Sequence, residues 1–267
     1  MSLRLSPGVI AVYRSYHLLN MSTSIARLSV LLMLLCLAAC DNSSSPEPET
    51  PRSEGPSTSC SNEEDLARDH SARRGELRGD VTGDGEADGV FIAVDEGAEV
   101  GCRALLFVAS GDRTSAASLD GEDTDLGLGL PALEGIKQID GAGGGDVIVN
   151  LVSGASTLFT GVFVYDDGAL EQIQIEGSQP PVENLFAHGG GVTLLSAADC
   201  GVGGAILVST AMAEGRRYRV DRHTYEFEDG VLALNSSKDE TRRLSLRAIP
   251  RSFPEFAGPP FSSCPDA

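Results

Sequence analysis

The sequence predicts an all-β domain, mostly antiparallel, over residues 60–267. Three observations carry that expectation. Short runs of Val, Ile, Leu and Phe recur between glycine-rich turns, helical periodicity is nearly absent, and three segments vary one pattern. Glycine numbers 31 of 267 residues, aromatic residues make up 5%, and tryptophan is missing. Asp and Glu total 39 against 20 Lys and Arg, giving a net charge of −19. Such a surface repels phosphate backbones, which argues against nucleic acid as a partner. The mean hydropathy of −0.03 is too high for a wholly disordered chain.

The N-terminal region reads as targeting. Residues 1–20 add nothing to an export signal, and Met21 is the better start, so residues 1–20 are expected to be a mis-called beginning. In "MSTSIARLSVLLMLLCLAAC", residues 21–40, Arg27 supplies a positive region and Leu28–Leu37 a short apolar core. That run is too short to span a bilayer comfortably and has the anatomy of a secretory signal over residues 21–39. Its ending, Leu37-Ala38-Ala39-Cys40, resembles the lipobox of bacterial lipoproteins. The resemblance implies that Cys40 is acylated and heads the mature chain. The protein would then sit on the extracytoplasmic face of the cell membrane, held by the lipid alone. Residues 41–59, "DNSSSPEPETPRSEGPSTS", offer almost nothing to bury and predict an extended, solvated tether.

After the tether, Ser61–Leu77 has a candidate N-cap in Ser61 or Asn62 followed by acidic residues, which predicts one short helix. Three related segments follow: Glu76–Ser110, Gly135–Gly168 and Asn184–Thr210. Each reads as a short strand, a glycine-rich turn, an apolar strand, a loop and a second apolar strand. The apolar strands are expected to begin near Val90, Val147 and Val192, so the recurrence lies in pattern and not in strict period. Runs such as "VIVNLV" and "AILVST" carry little polar alternation and suit strands covered on both faces. Residues 216–237 read as a strand and a hairpin turned at Asp229-Gly230, and the proline-punctuated tail as coil pinned by Cys264. About three four-stranded units would make a partial propeller-like assembly; a β-sandwich fits as well.

Four cysteines fall in the domain: Cys60, Cys102, Cys200 and Cys264. An even number in an exported chain argues for two disulfides, with three connectivities open. The favoured one joins Cys60 to Cys264, fastening the two ends, and Cys102 to Cys200. Zinc is disfavoured because no two of these cysteines are spaced as a metal knuckle.

The stretch "GDVTGDGEADGV", residues 79–90, crowds carboxylates just ahead of a strand. Calcium takes six to eight oxygens, and alternate residues of a tight loop can turn theirs inward. Asp80, Thr82, Asp84 and Asp88 would supply side chains, Glu86 its carbonyl, and Gly85 the sharp turn. Phe91 stands where an EF-hand needs its glutamate, which excludes a helix pair. This loop resembles the FG-GAP or VCBS-type repeat, whose D-x-D-x-D-G-x-x-D loop lies between β-strands. Asp80, Asp84 and Asp88 match its aspartates, and Thr82 replaces one. The resemblance implies bound calcium, a propeller and a binding or adhesive role. The second segment keeps only Asp140 and Asp146, and the third has His188 before three glycines.

No catalytic constellation stands out. His70, His188 and His223 are scattered, Val152–Thr157 is not a nucleophile elbow, and Gly141–Gly145 lacks the helix and lysine of a phosphate cradle. Asp120–Asp125 is a second acidic cluster without liganding spacing. The leading expectation is a lipid-anchored surface protein that binds or scaffolds an envelope protein or glycan through a calcium-braced β domain. A glycan-cleaving envelope hydrolase and a purely structural envelope lipoprotein are the alternatives.

Overall fold

The computed structural model describes residues 60–120, 126, 129–178, 182–228 and 230–267. The signal, Cys40 and the tether lie outside the described residues.

The first sheet has four antiparallel strands in chain order: β1 (Arg73–Gly79), β2 (Asp88–Val94), β3 (Ala104–Ser110) and β4 (Arg113–Ser118). A second meander follows: β5 (Ala132–Lys137), β6 (Asp146–Ser153), β7 (Thr157–Asp166) and β8 (Ala169–Gln172). The third comprises β10 (Phe186–Gly190), β11 (Leu194–Cys200), β12 (Ile206–Glu214) and β13 (Arg217–Glu228). The short β9 (Gln174–Ile175) pairs in parallel with β14 (Val231–Leu234), and β15 (Glu240–Leu244) pairs with β13. The all-β, mostly antiparallel expectation holds.

The second and third meanders do not stay separate. The ten-residue β7 pairs with β10 through its first half and with β8 through its second, fusing them into one eleven-stranded sheet. The third apolar strand begins at Leu194, and Val192 is left in the preceding turn, 80% exposed.

Strand alternation explains the unbroken apolar runs. On β2, Val90 and Ile92 face one core cluster, while Phe91 and Ala93 face another. On β6, Val147 and Val149 join the cluster shared with the first sheet, and Ile148 points to the opposite side. Both faces of these strands are therefore buried, as their composition demands. The outer face of the first sheet is covered by α1 (Glu63–Arg68) through Leu66. The outer face of the third is covered by the C-terminal segment, where Ile249 of α2 (Ile249–Ser252) and Phe253 pack on Tyr218 and Val220.

The expected short helix is α1, and it ends well before Leu77, because β1 starts at Arg73 and bulges at Gly75, whose φ is +76°. Asn62 occupies the N-cap position, but its side chain makes no capping bond; its amide donates to Asp95 instead.

Both disulfides exist, with a pairing different from the favoured one: Cys60 joins Cys102, and Cys200 joins Cys264. The layering gives the reason. Cys60 and Cys102 belong to the cluster outside the first sheet, whereas Cys264 and Cys200 belong to the cluster between the second and third meanders. Each bridge staples a terminal segment to its nearest layer, and the two ends are not joined to each other.

Candidate functional site

The β1–β2 loop that holds the predicted ion ligands is organised by its own carboxylates. Asp88, the first residue of β2, is 1% exposed and accepts the backbone N–H groups of Val81 (2.8 Å) and Thr82 (2.9 Å) through one oxygen. Asp80 accepts from Gly83 (2.8 Å) and Gly85 (2.9 Å), and Asp84 from Glu86 (2.8 Å). Gly83 and Gly85 adopt φ of +75° and +84°, which lets the chain reverse twice within a few residues. The Oγ1 atom of Thr82 is buried and has no hydrogen-bond partner.

The β5–β6 loop repeats this construction. Asp146 opens β6, is 2% exposed, and accepts from Ile139 (2.6 Å) and Asp140 (2.9 Å). Asp140 in turn accepts from Ala142 (2.8 Å). Gly141 and Gly143 sit at φ of +75° and +101°, matching Gly83 and Gly85 position for position. The shared feature is an apolar residue with an aspartate seven places later: Val81 to Asp88, and Ile139 to Asp146. That register is present in the sequence and marks a buried keystone aspartate at the start of each strand.

The two loops nest. The N–H of Gly145 donates to the carbonyl of Asp80 at 2.7 Å, and a Cβ on Gly144 would meet the carbonyl oxygen of Val81 at 2.3 Å. The C-terminal tail closes the same end: the N–H of Gln138 donates to the carbonyl of Pro265 at 2.9 Å, and Lys137 pairs with Asp266. In the "GAGGG" run, backbone of the β1–β2 loop lies against Gly144 and Gly145, whereas Gly141 and Gly143 serve the positive φ of the turn.

Electrostatics distinguish one carboxylate. Burial, aided by the charge of Asp140, pushes Asp146 up to about 7, against the opposing pull of its two backbone donors. Asp120 is occupied differently: it accepts from the backbone of Gly101, Arg103 and Ala104 and pairs with the Arg103 guanidinium at 2.8 Å. His188 lies on β10 with Nδ1 buried and without a hydrogen-bond partner, and burial holds its pKa below the usual histidine range against the pull of Glu134 and Asp199. His70 is exposed on the first sheet's flank, and His223 faces Asp239 at 3.2 Å. The three histidines do not converge.

Sequence reasoning missed a buried ionic cluster in the third layer. Glu255, 2% exposed, takes a two-pronged contact from Arg222 at 2.8 Å per bond and a hydrogen bond from Ser209, and Arg222 stacks on Phe253. Nothing local announces it, since the partners lie 33 and 46 residues apart. It fastens the C-terminal cap to the sheet.

Among the described residues, no three His, Cys, Asp or Glu side chains converge as a ready metal-ligating group. A groove of about 210 Å³ lies between Ile175, Phe186, Val208 and Tyr225. It is smaller than the roughly 300–1,000 Å³ typical of small-molecule sites. No family model, curated protein or solved structure matches this chain.

Proposed function

We propose that the chain is an exported, lipid-anchored protein whose β domain binds or scaffolds a component of the cell envelope. The observation that carries this reading is the run Leu28–Cys40, an apolar segment closed by Leu-Ala-Ala-Cys directly before a Ser/Pro/Glu tether. Two disulfides in the domain support it, because such bonds persist outside the reducing cytoplasm. Replacing Cys40 with alanine is expected to release the protein from membranes into the soluble extracytoplasmic fraction on a high-salt wash, which strips electrostatic contacts but not an acyl anchor. Retention of the variant on membranes that withstand a high-salt wash would refute the anchor.

The same reading assigns Asp80, Thr82, Asp84, Glu86 and Asp88 to a calcium-binding loop of FG-GAP or VCBS type. The orphaned Oγ1 of Thr82 supports this assignment, since a buried hydroxyl oxygen without a donor is what a cation would use. Calcium would draw the loop's carboxylates together and stiffen the turn into β2. The loop also holds itself through carboxylate–amide bonds, so the ion's share of stability is small. Extracellular sites bind at about 10⁻⁴–10⁻³ M, and at roughly millimolar calcium this gives ~0.4–1.4 kcal/mol. Calcium is therefore expected to raise the melting midpoint by a few degrees, and Asp84→Ala should abolish the rise. An unchanged wild-type midpoint at saturating calcium would remove the assignment.

A further inference from the structure

The charge of the domain is divided unevenly along the chain. Residues 60–215 carry 27 carboxylates against seven Lys and Arg, whereas residues 216–251 carry nine Lys and Arg against six carboxylates. The fold gathers much of that basic excess at one end of the third layer. Glu214 lies opposite Arg217 in the β12–β13 ladder, so Arg216 sits at the tip of the turn, and the Glu214 carboxylate is taken by Arg243 at 3.0 Å. Tyr218 lies opposite Leu244 on β15, so the chain leaves that strand beside the same turn and enters Leu246–Ala248. The β10–β11 turn joins them: the Tyr218 hydroxyl donates to the carbonyl of Val192 at 2.5 Å, and the N–H of Ala213 to that of Thr193 at 2.9 Å.

This end exposes aliphatic side chains among the arginines. Val192 is 80%, Leu246 50% and Met212 42% exposed. Arg216, Arg217 and Arg247 are exposed, and none is paired with a carboxylate of the described residues. The nested acidic loops lie at the other end of the strands. The β11–β12 turn belongs to that acidic end, because Cys200 is bridged to Cys264 and the next residue, Pro265, bonds to Gln138.

We propose that the end formed by Val192, Met212, Leu246, Arg216, Arg217 and Arg247 docks on an anionic phospholipid surface. Charge complementarity selects this occupant, and the aliphatic tips match a surface whose headgroups cover hydrocarbon. Each arginine within a Debye length of an anionic leaflet raises partitioning roughly fivefold, while the acidic pole lies beyond the reach of that field. A docked domain would present its acidic loops away from the membrane. The inference rests on the reading that the protein works at a membrane, but it needs no acyl chain.

The chain contains no tryptophan, so an introduced one reports alone. The full chain carrying Cys40→Ala, with either Leu246→Trp or Val202→Trp, is mixed with vesicles of phosphatidylglycerol and phosphatidylcholine, or of phosphatidylcholine alone. Val202 is fully exposed at the acidic end and serves as the internal control. The Leu246→Trp emission is expected to shift to the blue on anionic vesicles only, and the Val202→Trp emission to stay. Adding Arg216→Glu, Arg217→Glu and Arg247→Glu should lower partitioning by about 100-fold or more. No shift at position 246, an equal shift on neutral vesicles, or an equal shift at position 202 overturns the proposal. A shift with soluble polyglutamate but not with vesicles overturns it too, and makes an acidic protein the occupant. Because no variant is acylated, these outcomes are independent of whether Cys40 is lipidated.

Discussion

Removing both disulfides by Cys60→Ser/Cys102→Ser and Cys200→Ser/Cys264→Ser is expected to leave the domain unfolded or nearly so at 37 °C. The bridges close segments with sequence separations of 42 and 64 residues. In the chain-entropy picture each restricts the unfolded ensemble enough to contribute about 4 kcal/mol. Together they approach the whole net stability of a typical domain, which is about 5–15 kcal/mol. Either pair alone should lower the urea midpoint clearly while leaving a cooperative transition. The two losses should add, because the bridges lie in different core clusters. Urea titration of the three variants checks this, and a double variant as stable as wild type would refute it. Non-reducing peptide mapping separates the pairings directly: the Cys60 peptide must travel with Cys102 and not with Cys264.

The strands were legible because their chemistry is local. A run such as Val147–Val152 has no polar face, so it must be covered twice, and the structure covers it twice. The disulfide pairing was not legible, because it depends on which layer each terminal segment reaches. Cys60 meets the first sheet through α1, and Cys264 reaches the third meander only after the tail has crossed that layer's outer face. Proline in the tail points to coil, but the tail opens with α2 and a 3-10 turn at Pro254–Phe256, and Phe253 and Phe261 are fully buried. The fusion of two meanders escaped notice for a similar reason: the length of β7 suggests a strand, not that its halves have different partners. In the β1–β2 loop the spacing of the aspartates points to an ion, and Asp88 also has a structural task that Asp146 shares. Carboxylates that satisfy buried N–H groups and carboxylates that bind cations occupy the same kinds of turn, so composition alone does not separate them.

Asp146 gives the second large effect, and its sign is opposite to that of an ordinary salt-bridged carboxylate. Its side chain lies at the base of the β5–β6 loop, where burial and then Asp140 push its pKa up to about 7, against the ordinary 3.8. The folded state therefore binds a proton that the unfolded state has already released throughout the interval between those values. Below about pH 4 both states are protonated and the group contributes no difference. Stability then falls as pH rises through the interval and levels off above about 7. The full span is on the order of 4 kcal/mol. Asparagine is nearly isosteric, and its carbonyl oxygen can still accept from Ile139 and Asp140, so Asp146→Asn keeps the bonds and removes the ionisation. The variant should match wild type near pH 4 and exceed it increasingly up to about pH 7.5, with the gap constant beyond. Other carboxylates give the wild type its own pH profile, which is why the difference between the two proteins is the quantity to measure. Two parallel curves across pH 4–8 would mean that Asp146 stays ionised in the folded state and that its two backbone donors outweigh its burial.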